Sequence, residues 1–212
     1  MSTLLRVDSS PLKGDASFSR QLTAEFVQHW QASHPGGRII TRDLVATTLP
    51  PVSAEWIGAA YSPAASRTQP QQEILAISDE LIAELEAADE YVFGVAMHNF
   101  SIPSVLKLWI DQVVRVGKTF SYENGVIAGR LRDKKATFLV ASGGVYEPGT
   151  PAAGMNFVEP YLRPVFGTIG VRDTSFINAG GTAQVRFGVN RDTILQPALQ
   201  SIRTQLQQAQ VA

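Results

Sequence analysis

Apolar residues along the chain follow two rhythms. Short runs at residues 4–7, 38–44, 91–95, 135–141 and 173–179 read as strands. Those at 91–95 and 135–141 are nearly continuous, as expected of strands buried on both faces. Between the runs, apolar residues return at helical spacing. Leu22, Phe26, Val27 and Trp30 share one face; a second amphipathic stretch covers 71–85. A third carries Val105, Leu108, Trp109, Val113 and Val116, and further helices are predicted at 157–167 and from 192 to about 208.

Turn residues punctuate this pattern. Asp8-Ser9-Ser10-Pro11 stops the first strand, and Ser17 or Ser19 caps the first helix. Gly36-Gly37 breaks the chain before the second strand. Residues 46–68 form a surface excursion with one short helix, and 148–154 form a loop. Pro103 takes the first position of its helix. Residues 119–122 and 125–127 flank Glu123-Asn124 as a small hairpin. Five strands alternating with helices predict an α/β three-layer sandwich: a parallel sheet with helices on both faces, plus the hairpin.

Length and composition narrow the possibilities. The 212 residues suit one domain spanning 1–212, and 44% hydrophobic with 17% charged residues is a globular balance. A net charge of −1 gives no electrostatic case for nucleic acid or an anionic membrane as partner. The absence of cysteine removes disulfides, thiolate nucleophiles and sulfur-ligated metals. Three scattered histidines make a poor metal site, so no metal is expected. The N-terminus is too short in apolar residues for a signal peptide, and no run would span a bilayer. The expectation is a soluble, cytoplasmic protein.

Three polar clusters fall at the ends of strands one, three and four. They are Ser9-Ser10 with Ser17-Phe18-Ser19; Met97-His98-Asn99-Phe100; and Ser142-Gly143-Gly144-Val145-Tyr146. In the strand order 2-1-3-4-5 all three share one rim, where open α/β sheets bind ligands. Hydroxyls and free amides at a helix N-terminus suit a single phosphate. No GxxxxGK[ST] or GxGxxG accompanies them. The other two clusters suit a flat heteroaromatic: glycines admit close backbone approach, Asn99 pairs with ring heteroatoms, and His98, Phe100 and Tyr146 wall it. Each cluster alone also reads as ordinary turn and cap chemistry; jointly they point to a ligand.

These residues resemble the FMN-dependent NADH azoreductases. Met97-His98-Asn99-Phe100 with Ile102-Pro103 is similar to that family's MYNF…IP segment, and Lys118-Thr119-Phe120-Ser121-Tyr122-Glu123-Asn124-Gly125 to its TF-x-Y-x-x-NG hairpin. The serine cluster resembles its phosphate loop, Ser142-Gly143-Gly144 its Gly-Gly loop, and residues 71–86 also fit. The resemblance implies a flavodoxin-like fold, tightly bound non-covalent FMN and a homodimer. It also implies ping-pong two-electron reduction of quinones or azo compounds by NADH or NADPH. Carried across, Ser10, Ser17, Phe18 (through its amide) and Ser19 bind the phosphate. Met97, His98, Asn99 and Phe100 line the isoalloxazine, and Ser142, Gly143 and Gly144 contact its pyrimidine side. Tyr122 and Tyr146 serve the substrate pocket. No side chain is required as a catalytic acid or base, because the flavin carries the chemistry. The sequence departs from the family at Ala96 (usually Pro), His98 (usually Tyr), Phe18 and a missing Arg after Ser142.

Rival readings are a one-electron flavodoxin-type carrier, a serine hydrolase using Ser142 or Ser9, and a flavin-binding module without turnover. The near-neutral charge argues against the first and the missing G-x-S-x-G elbow against the second. Elsewhere, Trp109 reads as either core or dimer interface, the resemblance favouring the interface. Trp56 and Tyr61 either overhang the site or pack. His29 and His34 are solvated, and Asp79 and Asp111 are surface charges.

Overall fold

The computed structural model describes residues 1–209; the last three residues of the expected domain lie outside it. Five strands, β1 (Thr3–Asp8), β2 (Arg38–Asp43), β3 (Glu90–Ala96), β6 (Lys135–Ala141) and β7 (Asp173–Ala179), form one parallel sheet in the order β2-β1-β3-β6-β7. This is the flavodoxin-like order expected from the chain. Strand order reverses between β1 and β3, so the switch point lies beyond Asp8 and Ala96. β4 (Phe120–Glu123) and β5 (Val126–Gly129) make the separate hairpin.

Strand alternation divides the core. Leu4, Val92, Leu139 and Ile177 face α1 (Phe18–Ser33) and α6 (Arg191–Ala209). Leu5, Tyr91, Phe93, Val95 and Phe138 face the opposite layer of α3 (Gln69–Ala87), α4 (Ser104–Val113) and α5 (Val158–Ile169). In that layer Phe93 meets Phe138, Phe166 and Trp109 at ring distances of 5.1, 5.1 and 5.4 Å. Trp109 is 1% exposed, so it is a core residue of this chain and not an interface residue.

Local chemistry moved several element ends from their predicted places. α3 starts at Gln69, where Gln71 Oε1 accepts the Thr68 amide at 3.0 Å and Pro70 fits the first turn. Pro103 is the N-cap of α4, one position before the helix. α4 stops at Val113 and not near Val116: the Thr119 hydroxyl donates to Val113 O at 2.6 Å and accepts the Arg115 amide at 3.0 Å. The hairpin turn is Asn124-Gly125, one residue later than expected, because both turn residues need positive φ (52° and 79°).

The 46–68 excursion contains α2 (Ala54–Tyr61), capped by Ser53, which accepts the Trp56 amide at 3.2 Å. Trp56 packs and does not overhang the rim. Its Nε1 donates to Gln112 Oε1 at 2.9 Å, and Gln112 Nε2 donates to Pro50 O at 2.9 Å. Tyr61 stays exposed. At the hairpin base the buried Arg115 donates to Ser78 Oγ (2.7 Å) and pairs with Asp79, which Lys118 also approaches at 3.3 Å. His34 is not freely solvated: its ring stacks on Trp30 at 4.3 Å. His29 pairs with Glu25 at 3.0 Å. No helix among the described residues is long and apolar enough to cross a membrane.

Candidate functional site

The loop after β1 is built around Gly94 of β3. Ser9 donates to Gly94 O twice, from its amide at 3.1 Å and from its hydroxyl at 2.7 Å. Ser10 Oγ accepts the Leu12 amide at 3.3 Å. Ser17 is the N-cap of α1; its Oγ accepts the Arg20 amide at 3.3 Å and lies 3.4 Å from Ser19 Oγ. Ser9, Ser10, Ser17 and Ser19 are all buried. The amides of Phe18 and Ser19 open α1 and have no acceptor among the described residues.

A charge network fastens this loop from below. Asp8 is buried and accepts from Arg6 Nε at 2.8 Å and Thr23 Oγ1 at 2.8 Å. Arg20 donates to Ser10 O from Nε and Nη2 (3.2 and 2.7 Å) and to Asp43 Oδ1 at 2.7 Å. Burial alone would raise the Asp43 carboxyl; the Arg20 guanidinium and the Val45 amide outweigh it and hold it below the usual range.

The loop after β3 is a tight two-residue turn. His98 and Ser101 exchange backbone hydrogen bonds at 3.0 Å each way, and Asn99 and Phe100 between them have φ of 48° and 71°. Asn tolerates the left-handed region; Phe does not do so readily, so the turn stores strain. Met97 is tied down by its amide to Ala141 O at 2.8 Å, while His98, Asn99 and Phe100 are exposed. Phe100 O accepts the Phe157 amide at 2.9 Å, and its ring meets Tyr146 edge-on at 6.0 Å.

The loop after β6 engages its carbonyls with the loop that follows β7. Ser142 O, Gly143 O and Gly144 O accept the amides of Thr182, Ala183 and Gly181 at 3.0, 3.2 and 2.9 Å. Thr182 Oγ1 adds a bond to Ser142 O at 3.0 Å. The amides of Gly143 and Gly144 have no acceptor among the described residues. A Cβ at Gly144 would sit 2.9 Å from Tyr146 Oη, so any side chain there would displace the Tyr146 ring. The Ser142 hydroxyl donates to Gly144 O at 2.9 Å, and the Ser9 hydroxyl to Gly94 O; neither is presented as a nucleophile to a histidine.

The structure therefore gathers Ser10, Ser17, Phe18, Ser19, Met97, His98, Asn99, Phe100, Ser142, Gly143, Gly144 and Tyr146 on loops that follow β1, β3 and β6 at one rim. Tyr122 stays outside this grouping: it is 61% exposed on β4, with Phe120 as its ring neighbour. The sequence reading missed the clamp at 181–183, whose only local signal is Gly180-Gly181 after the last strand. It also missed Asp8, Arg20 and Arg191. Arg191 stacks its guanidinium 3.5 Å above the Phe18 ring centre. Burial draws that guanidinium below its ordinary value, against the pull of Asp15 and Asp192. A cavity of about 770 Å³ lies at the opposite end of the sheet, between β5 and the C-terminal end of α5. Its Lys134 is committed to the carbonyls of Glu86 and Ala88.

Comparison with known proteins agrees with this geometry. A protein of Acidobacterium capsulatum named FMN-dependent NADH:quinone oxidoreductase is 58% identical over 204 residues, 96% of this chain and 98% of that one. A Burkholderia lata protein named FMN-dependent NADH:quinone oxidoreductase 3 is 43% identical over the same shares. The crystal structure of an azoreductase from Bacillus anthracis strain Sterne superposes with a TM-score of 0.86 at 26% identity, covering 97% of this chain and 99% of that one. Residues 2–206 match the family described as having the flavodoxin-like fold, and the chain belongs to that family.

Proposed function

We propose that this protein is an FMN-dependent oxidoreductase that uses NAD(P)H, with NADH favoured, to reduce quinones and azo compounds. One observation carries the reading. Amides at the start of α1 and those of Gly143-Gly144, without acceptors among the described residues, belong to loops at the same sheet rim, with a strained aromatic turn between them in the strand order. The names of the relatives support the same activity.

The residues present fit FMN. Ser10, Ser17 and Ser19 with the amides of Phe18 and Ser19 would hold its phosphate, where the helix dipole favours an anion. Met97, His98, Asn99 and Phe100 would line the isoalloxazine, and Ser142 with the amides of Gly143 and Gly144 would meet its pyrimidine edge. Bound FMN supplies the chemistry, taking two electrons from NAD(P)H and passing them to the acceptor. The chain's own work is orientation. The clamp at 181–183 keeps the Gly-Gly carbonyls engaged, so the amides stay available as donors. Phe100 and Tyr146, whose rings meet edge-on, would shield one side of the isoalloxazine from water, and Tyr122 and Tyr146 would contact the acceptor.

We also infer one domain spanning the whole chain, a cytoplasmic location and a homodimer. A mainly apolar groove of about 480 Å³, lined by Val52, Trp56, Ile110, Val114, Tyr161 and Val165 with Asp111 and Thr168, supports a second copy. So do the exposed Tyr122, Val126 and Ile127 of the hairpin. The test is an absorption spectrum of the protein reconstituted with FMN, followed by anaerobic NADH and then benzoquinone. Flavin absorbance that bleaches and returns is the expected result. A protein that never retains FMN would sink the assignment.

A further inference from the structure

We propose that Arg191 supplies the cation of the FMN phosphate site. The proposal rests on the flavin reading above. α1 and α6 both start at the ligand rim and run back along the same face of the sheet, sharing one apolar cluster. Arg191 opens α6, and its guanidinium carbon lies 3.5 Å above the ring centre of Phe18, the first residue of α1. Its Nε donates to Gln21 Oε1 at 3.0 Å, within the first turn of α1. The guanidinium is thereby held against two side chains of the first turn of α1, the turn whose Phe18 and Ser19 amides have no acceptor among the described residues.

Its charge has no contact partner among the described residues. Nη2 is buried and has no partner among the described residues. No carboxylate lies in ion-pair contact with it there; Asp15 and Asp192 act only from a distance. Arg20, the other arginine beside this loop, differs. Its charge is met by Asp43 at 2.7 Å and Asp8 at 3.8 Å. A partly buried guanidinium without a counter-ion is costly. A phosphate dianion at the start of α1 is the complement that this position lacks. Stacking on Phe18 orders the guanidinium before the ligand arrives, so little side-chain entropy is lost on binding.

Riboflavin separates this role from simple packing, because it carries the same ring without the phosphate. FMN and riboflavin are titrated into the apoprotein of the wild type, Arg191→Met and Arg191→Lys, each at low and high salt. Arg191→Met is expected to weaken FMN about tenfold, the scale of one partly screened charge pair. Riboflavin binding is expected to stay within about twofold, and the salt dependence of FMN binding to shrink. Arg191→Lys is expected to recover part of the loss. Lys13→Gln, a change at an exposed loop cation, is the control and leaves the FMN-to-riboflavin ratio as it was. Equal weakening of both flavins would show that Arg191 only packs against Phe18 and would overturn the proposal. Unchanged FMN affinity would overturn it too. A wild type that binds neither flavin would instead remove the functional reading on which it stands.

Discussion

Gly94 ties the fold to the site, and replacing it tests both. It sits on β3 on the face turned to α1. A Cβ added there would lie 2.8 Å from Asp8 Oδ1, 2.9 Å from Thr23 Cγ2 and 3.2 Å from Ser19 O. None of these can retreat cheaply. Asp8 is held by Thr23 and Arg6 at 2.8 Å each, and Ser19 belongs to the first turn of α1. Relieving the overlap requires α1 to shift by about half an ångström or the Asp8 network to break. Overpacking of this kind costs roughly 1–3 kcal/mol. For Gly94→Ala we take about 2 kcal/mol, which is about thirtyfold in the unfolding equilibrium and roughly 4–8 °C in Tm for a chain of this size. Urea unfolding of the apoprotein should show a lower midpoint with an unchanged slope. FMN titration should show weaker binding, because the amides of Phe18 and Ser19 move with α1. Gly58→Ala is the internal control. Gly58 lies in α2 with nothing within 4 Å of the added methyl, so the same substitution should stabilise by about 0.5–1 kcal/mol. Wild-type midpoint and FMN affinity in Gly94→Ala would refute the argument that α1 is seated on a missing side chain.

Two further outcomes follow from the same contacts. Ser17→Ala removes the cap that accepts the Arg20 amide; it should cost about 1 kcal/mol in urea unfolding and weaken FMN more than riboflavin. Glu25 is held below its ordinary value first by its hydrogen bond to Arg203, and then by His29 against the opposing effect of burial. Because its folded value is depressed, the stability it contributes is present above the ordinary glutamate range and is lost as pH falls through the folded value. Glu25→Gln should therefore lower Tm at neutral pH, and the gap from wild type should close below about pH 4; a gap that stays constant through that range would contradict the assignment.

Hydrophobic rhythm marked the strands of the parallel sheet and the main helices, because burial on one or two faces leaves a local period in the sequence. The polar clusters at 9–19, 97–100 and 142–146 were legible for a related reason: hydroxyls, paired glycines and a polar turn directly after a buried strand stand out against it. Residues whose role depends on a distant partner were not legible. Arg191 finds Phe18 across more than 170 positions, and the amides of 181–183 find the Gly-Gly carbonyls only once β6 and β7 are paired. Trp109 has the same periodicity in a core as in an interface; only the rings of Phe93 and Phe166 decide between them. Gly94 looks like any strand glycine until α1 crosses it. Local sequence records how much surface a residue loses, but tertiary packing selects what covers it, and the ligand rim is made of those selected contacts.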